Sequence, residues 1–225
     1  MINIGTTDDR FAASLRGFGL AGILAILVIL ASVLIAVPIS AILVLAWVEL
    51  SKTPWSKIGY VRPKSWLGTV AIGVAFGIAF KLFMKSIVMP LLGVDPINHT
   101  YHYLVGNPIA LPAILLSVIV IGGFCEETVF RGYLFERLGT LFGGGLGAKA
   151  LTVLITTGLF ASAHFHDQGL AGVQQAIFTG AVFGTIFAAT GQIWMLMIAH
   201  AAFDVTAIAI IYWNLESQIA HLFFK

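Results

Sequence analysis

The chain has 225 residues, 59% of them hydrophobic and 10% charged, with a formal net charge of +2 and one cysteine. Soluble domains carry about 25% charged residues, so this composition excludes a soluble globular protein, and so small a net charge excludes nucleic acid as the expected partner. The lone Cys125 excludes an internal disulfide.

In chain order, Asp8 and Asp9 stand where a signal peptide would be basic, and the charge-free run Gly17–Val48 far exceeds the roughly 7–15 residues of a signal-peptide core. It reads as a retained anchor, one span plus an interfacial turn, kinked at Pro38. Glu49–Ser65 is the most basic loop, with Lys52, Lys57, Arg62 and Lys64 against Glu49 and with Trp55 and Trp66 as interfacial anchors. The positive-inside rule places it in the cytoplasm and both termini outside. The second span, Trp66–Leu92, carries Lys81 and Lys85 one turn apart, expected to snorkel to the far interface.

Asp95–Gly106 is a polar loop without Lys or Arg, which suits the exterior. The apolar run Ile109–Cys125 leads into Glu126 and Glu127, and the helix continues to about Leu141, where Gly143, Gly144 and Gly145 break it. Ala148–His164, Val173–Thr190 and Ile193–Tyr212 follow as the fourth to sixth spans, and Trp213–Lys225 reads as interfacial. Gly73/Gly77 and Gly180/Gly184 are GxxxG pairs of the kind that let helices approach closely. The expected fold is an all-α polytopic transmembrane helical bundle of about six spans, with room for an extra interfacial helix. Its expected organisation is a two-span N-terminal region (1–108, including the basic loop 49–65), a four-helix core (109–214) and an interfacial tail (215–225). The length and absence of targeting extensions suit a prokaryotic plasma membrane.

A charge at the bilayer centre costs roughly 2.5–3.5 kcal/mol on insertion scales, so ionisable residues there mark function. Glu126 and His164 are equally distant in sequence from Gly145, so an antiparallel hairpin about that turn sets both at one depth, and His200 lies near the middle of the sixth span. Glu127 and Arg131, at i and i+4, share a helix face and pair in the favourable order, while Glu126 points about 100° away and is free for chemistry. His200 with Asp204, and Phe160 with His164, repeat the i, i+4 spacing. A carboxylate and a histidine at low dielectric can hold and deprotonate a water, and a second His–Asp pair can stabilise an oxyanion or hold a metal. Such chemistry requires a polar cavity opening to one side. The competing structural readings make Glu127–Arg131 a clamp, His166 and Asp167 a solvated span end, Phe160 the packing partner of His164, and Cys125 a small buried side chain. The tryptophans, Trp47 included, read as interfacial belts.

These motifs resemble the intramembrane endopeptidases grouped as CAAX-prenyl protease and bacteriocin-processing (CPBP, or Abi) proteins, which carry EExxxR, FxxxH and HxxxN or HxxxD on separate transmembrane helices. This chain has Glu126-Glu127-Thr128-Val129-Phe130-Arg131, Phe160 through His164, and His200 through Asp204, and Gly132 with the FRGYLF context also matches. The resemblance covers Ile109–Asn214; the first two spans match only loosely. It implies hydrolysis of a peptide bond in a membrane-associated peptide or protein, prenylated or leader-bearing, with Glu126 as base, His164 as its partner, His200 and Asp204 on the oxyanion or ligand side, and Glu127, Arg131 and Phe160 in support. Many members have Asn where this chain has Asp204. An ionised carboxylate cannot donate to an oxyanion, so Asp204 is expected to be protonated, to orient His200 or to bind metal. The family has been described both as metallopeptidases and as glutamate-type proteases. Glu126, His164, His200 and Asp204 are an acceptable zinc set, but HExxH is absent and water activation without a cofactor is favoured. Two readings from other classes use the same residues: a small transporter with a proton or cation pathway, which usually brings an internal repeat not found here, and a non-enzymatic membrane scaffold or immunity protein.

Overall fold

The computed structural model describes residues 7–224, and every regular element among them is helical; the outermost positions of the expected N-terminal region and tail, 1–6 and 225, lie outside the described residues. The helices are α1 (Thr7–Arg16), α2 (Leu20–Val33), α3 (Val37–Leu50), α4 (Trp66–Leu91), α5 (Leu111–Phe142), α6 (Leu146–Ala163), α7 (Phe165–Thr190), α8 (Trp194–Tyr212) and α9 (Glu216–Ala220). Five of them, α4 to α8, are long and apolar enough to cross a bilayer, and the pair α1–α2, bent by 57°, makes six if taken as one span. The chain is a polytopic helical membrane protein.

The run Gly17–Val48 is not one kinked span. It folds back as a hairpin of two 14-residue helices, α2 and α3, each about 21 Å long at 1.5 Å per residue. Pro38 lies in the first turn of α3, where its missing N–H and fixed φ suit a helix start rather than a kink. Ser40 Oγ donates to Ile29 O at 2.7 Å across the hairpin. The fold-back brings α1 to the end that carries the basic loop: Lys52 Nζ pairs with Asp9 at 2.7 Å, and Arg16 donates to Ser51 O. The N-terminal helix and the Glu49–Ser65 loop are therefore on one side, correcting the expectation of opposite sides. Trp47 is buried, edge-on to Tyr133 at 5.0 Å, and belongs to the core rather than to an interfacial belt.

α8 is the central helix, packed against α4 and α5. Gly73 and Gly77 make the α4 seam: a Cβ on Gly73 would lie 2.8 Å from Ile198 Cγ2, and one on Gly77 2.8 Å from Ala202 Cβ. The α6–α7 seam uses Gly180, where a Cβ would lie 3.1 Å from Thr157 Cγ2. Both GxxxG pairs thus mark real contacts. α5 ends at Gly143 (φ +88°) and α7 is broken at Gly169 (φ +60°, ψ −155°), conformations that glycine adopts without a Cβ clash.

At the far end from the basic loop, Glu216 of α9 is buried and accepts from Lys85 Nζ at 3.3 Å and from the Asn98 N–H at 2.9 Å. Lys85 also donates to Pro96 O. Neither Lys81 nor Lys85 snorkels: both point inward, and the tail's first helix is pinned to the 95–106 loop by a buried carboxylate.

Candidate active site

α5 is wound in wide π turns over Val118–Glu126 and Thr128–Tyr133, the helical irregularity that recurs at functional sites. Gly122 and Gly123 face α8 there: a Cβ on Gly122 would lie 2.5 Å from Asp204 Oδ2, and one on Gly123 2.9 Å from Ala201 Cβ. Two glycines therefore let the backbone of α5 close on α8, and the next residues, Glu126 and Glu127, reach His200.

Glu127 is fully buried. Its Oε1 accepts from Arg131 Nη1 at 2.8 Å and from His200 Nδ1–H at 2.7 Å. The clamp read from sequence is present, and Glu127 also orients His200, a cross-helix bond that spacing alone did not reveal. The Arg131 guanidinium lies over the Phe160 ring at 4.4 Å and towards Phe183 at 5.6 Å, a desolvated cation on aromatic faces. With Nδ1 committed, His200 turns Nε2 to Glu126 Oε2 at 3.7 Å and Asp204 Oδ2 at 3.6 Å. Both spacings exceed a direct hydrogen bond and suit groups that act through a water or tighten in the reacting complex.

His164 follows α6. Its Nδ1–H donates to Phe160 O at 2.8 Å, and its ring lies 4.5 Å from that of Phe160, so Nε2 is its free nitrogen. His166 and Asp167 are exposed, as expected of a solvated span end. Glu126, His164, His200 and Asp204 all line one cavity of about 150 Å³, ample for several waters, since one needs about 10–15 Å³ of such volume. Asn98 and Tyr101 of the 95–106 loop line it too, so it lies towards the end opposite the basic loop. Burial pushes the Tyr101 phenol above its ordinary range, keeping it a neutral donor.

Residues 108–206 match the family model described as type II CAAX prenyl endopeptidase Rce1-like. That stretch, somewhat under half of the chain, is similar to an Rce1-like domain. No curated protein and no solved structure matches it. The match supports an intramembrane protease of the CAAX type in general, acting on a peptide or protein in the membrane.

The Rce1-like segment contains every sequence-predicted site residue, from Glu126 to Asp204. Among the described residues no three His, Cys, Asp or Glu side chains are grouped to hold a metal ion. Cys125 is buried behind Glu126 and packs in the core. Among the cavity residues that sequence reasoning did not place there, Lys81 and Gln175 meet each other. Lys81, on α4 outside the matched segment, lines the cavity and donates to Gln175 Oε1 at 2.8 Å. Its signal was available: a lysine in the interior of a span, one turn beyond a GxxxG pair, faces the helix that the glycines face. Gln175 carried none, because a single amide in a span is common.

Proposed function

We propose that this Rce1-like protein is an intramembrane endopeptidase in which Glu126 and His164 activate a water against a peptide carbonyl held beside His200. The supporting observation is the convergence of Glu126, His164, His200 and Asp204, from two helices and the end of a third, on a single polar cavity. Residues 109–214 are the catalytic core in this reading, and 1–108 and 215–225 frame it.

The water donates a hydrogen bond to Glu126 and a second to His164 Nε2, the nitrogen left free by the Nδ1–Phe160 bond. Glu126 takes one proton as the water oxygen bonds to the carbonyl carbon, and the carbonyl electron pair moves to its oxygen. His200, protonated on both nitrogens between Glu127, Glu126 and Asp204, donates from Nε2 to that oxyanion. Asp204 balances the imidazolium charge from its other side. Collapse of the tetrahedral centre breaks the C–N bond, and Glu126 returns its proton to the leaving nitrogen, giving a carboxyl and an amine product. Arg131 and Phe160 act through others, Arg131 by holding Glu127 and Phe160 by holding His164.

The test compares membrane and secreted peptides from cells expressing the wild type or Glu126→Gln at equal levels. New termini found only with the wild type establish the protease. Identical profiles with a phenotype that still needs Glu126 would turn the reading to an ion pathway. Identical profiles without one would turn it to a scaffold.

A further inference from the structure

Lys81 and Gln175 line the catalytic cavity and also a second chamber of about 210 Å³ that adjoins it. Lys81 is 7% exposed, and its Nζ lies 4.7 Å from the centre of the Phe203 ring. Among the described residues no carboxylate forms an ion pair with it, whereas Lys85, one turn on, reaches Glu216. An ammonium has three donors and no acceptor. One of them goes to the Gln175 amide oxygen, which leaves the Gln175 NH₂ as a further donor. A buried cation at membrane depth whose direct contacts are a neutral amide and an aromatic ring, with Asp204 and Glu216 acting on it only from beyond ion-pair distance, is electrostatically incomplete. The carboxylates of the same cavity, Glu126 and Asp204, are committed around His200. One part of the cavity is thus rich in carboxylates, and the junction of the two chambers, lined by Lys81, Gln175, Asn98 and Gln168, holds a cation and neutral amides but no carboxylate.

We propose that Lys81, with Gln175 beside it, is the specificity-determining anchor for a carboxylate of the peptide substrate, held at the junction while the scissile bond lies against Glu126. The inference rests on the endopeptidase reading. Geometry fixes the register between anchor and chemistry, because Gly73 and Gly77 seat α4 directly on α8, the helix that carries His200 and Asp204. Two carboxylates fit this chemistry: the free C-terminus of a short leaving segment, or an Asp or Glu side chain near the cleavage point.

The experiment uses the full chain in proteoliposomes and three fluorescent farnesylated peptides ending in a Cys-aliphatic-aliphatic-X sequence. One has a free C-terminal carboxylate, one a C-terminal amide, and one an amide with Asp at the last position. Binding and cleavage are both read. The wild type is expected to prefer the free acid over the plain amide by about tenfold or more in KM. Lys81→Met should erase that ratio, and Lys81→Arg should keep part of it. Gln175→Glu, which supplies an internal carboxylate to Lys81, should erase it as well, with unfolding midpoints confirming that each variant folds. Recovery by the Asp-amide peptide shows that the anchor takes a side-chain carboxylate as well as a C-terminus, and its absence restricts the anchor to the C-terminus. Equal handling of acid and amide by the wild type, a ratio that survives Lys81→Met, or failure to bind any of the three overturns the anchor. Selective binding without cleavage keeps the anchor and sinks the protease; cleavage without selectivity does the reverse.

Discussion

Glu127 Oε1 lies 2.7 Å from His200 Nδ1 while holding Arg131 Nη1 at 2.8 Å. One oxygen of a fully buried carboxylate therefore fixes both the tautomer of His200 and the place of the guanidinium under Phe160 and Phe183. Removing one partner of a buried pair strands the other charge and costs about 3–5 kcal/mol. Glu127→Gln should lower the thermal unfolding midpoint accordingly. The double variant Glu127→Gln/Arg131→Met should recover much of that stability without recovering cleavage, because a neutral amide oxygen no longer supplies the negative charge that holds the His200 imidazolium. Thermal unfolding and peptide cleavage on the same preparations check both halves.

Glu126 behaves differently, since its nearest charged partner is the 3.7 Å contact to His200 and no fold-holding hydrogen bond depends on it. Glu126→Gln should reduce kcat by about 10²–10⁴-fold, the range for loss of a general base, with no fall in the unfolding midpoint. A matching loss of stability would reassign Glu126 to structure.

Gly122 and Gly144 give a paired test of the α5–α8 approach. A Cβ at Gly122 meets Asp204 Oδ2 at 2.5 Å, whereas nothing lies near Gly144. Gly122→Ala should displace Asp204 and lower kcat/KM by about tenfold or more, given how steeply catalysis depends on sub-ångström placement. Gly144→Ala should be silent. Equal activity of the two variants would remove Asp204 from the reaction.

Tyr60 joins the basic loop to α5 by donating to Thr128 Oγ1 at 2.8 Å, and burial pushes its phenol up to about 12. A folded value above the unfolded one, near 10, means that its contribution is complete below about pH 10 and is lost as pH rises towards 12. Tyr60→Phe should be less stable than the wild type at about pH 8 by roughly 1 kcal/mol, and the gap should narrow by about pH 11. Denaturant unfolding at the two pH values measures it.

Metal dependence is checked by elemental analysis of the purified chain and by cleavage before and after chelation. In the proposed reaction every proton and charge is handled by protein groups, so chelation should leave cleavage unchanged. Loss on chelation with recovery by zinc would make His200 Nε2 and its neighbouring carboxylates ligands instead.

Much of this site was legible because each ionisable residue in an apolar chain stands out, and i, i+4 spacing carries geometry through any helix. The Glu127–Arg131 pair and the shared level of Glu126, His164 and His200 could be read in that way. What spacing could not show was contact between helices. The Glu127–His200 bond joins positions on α5 and α8, and the Lys81–Gln175 bond joins positions on α4 and α7. Hydropathy also failed at Gly17–Val48, because a hairpin of two half-length helices and one long span have the same composition. Only the length of each arm, set by the turn at Leu34–Ala36, tells them apart.

That hairpin has a consequence for the lipid around it. Each arm, at about 21 Å, falls short of the roughly 30 Å hydrocarbon core, and its tip is apolar, with Leu34 and Ile35 85% and 77% exposed. The N–H groups of Leu34, Ile35 and Ala36 are met by Ala31 O and Ser32 O, which lowers the cost of ending the tip among acyl chains. Entering and leaving by one face, it displaces lipid from the leaflet on the basic-loop side and little from the other. The hairpin thereby adds area to one leaflet more than to the other, and should favour membrane whose curvature relieves that difference.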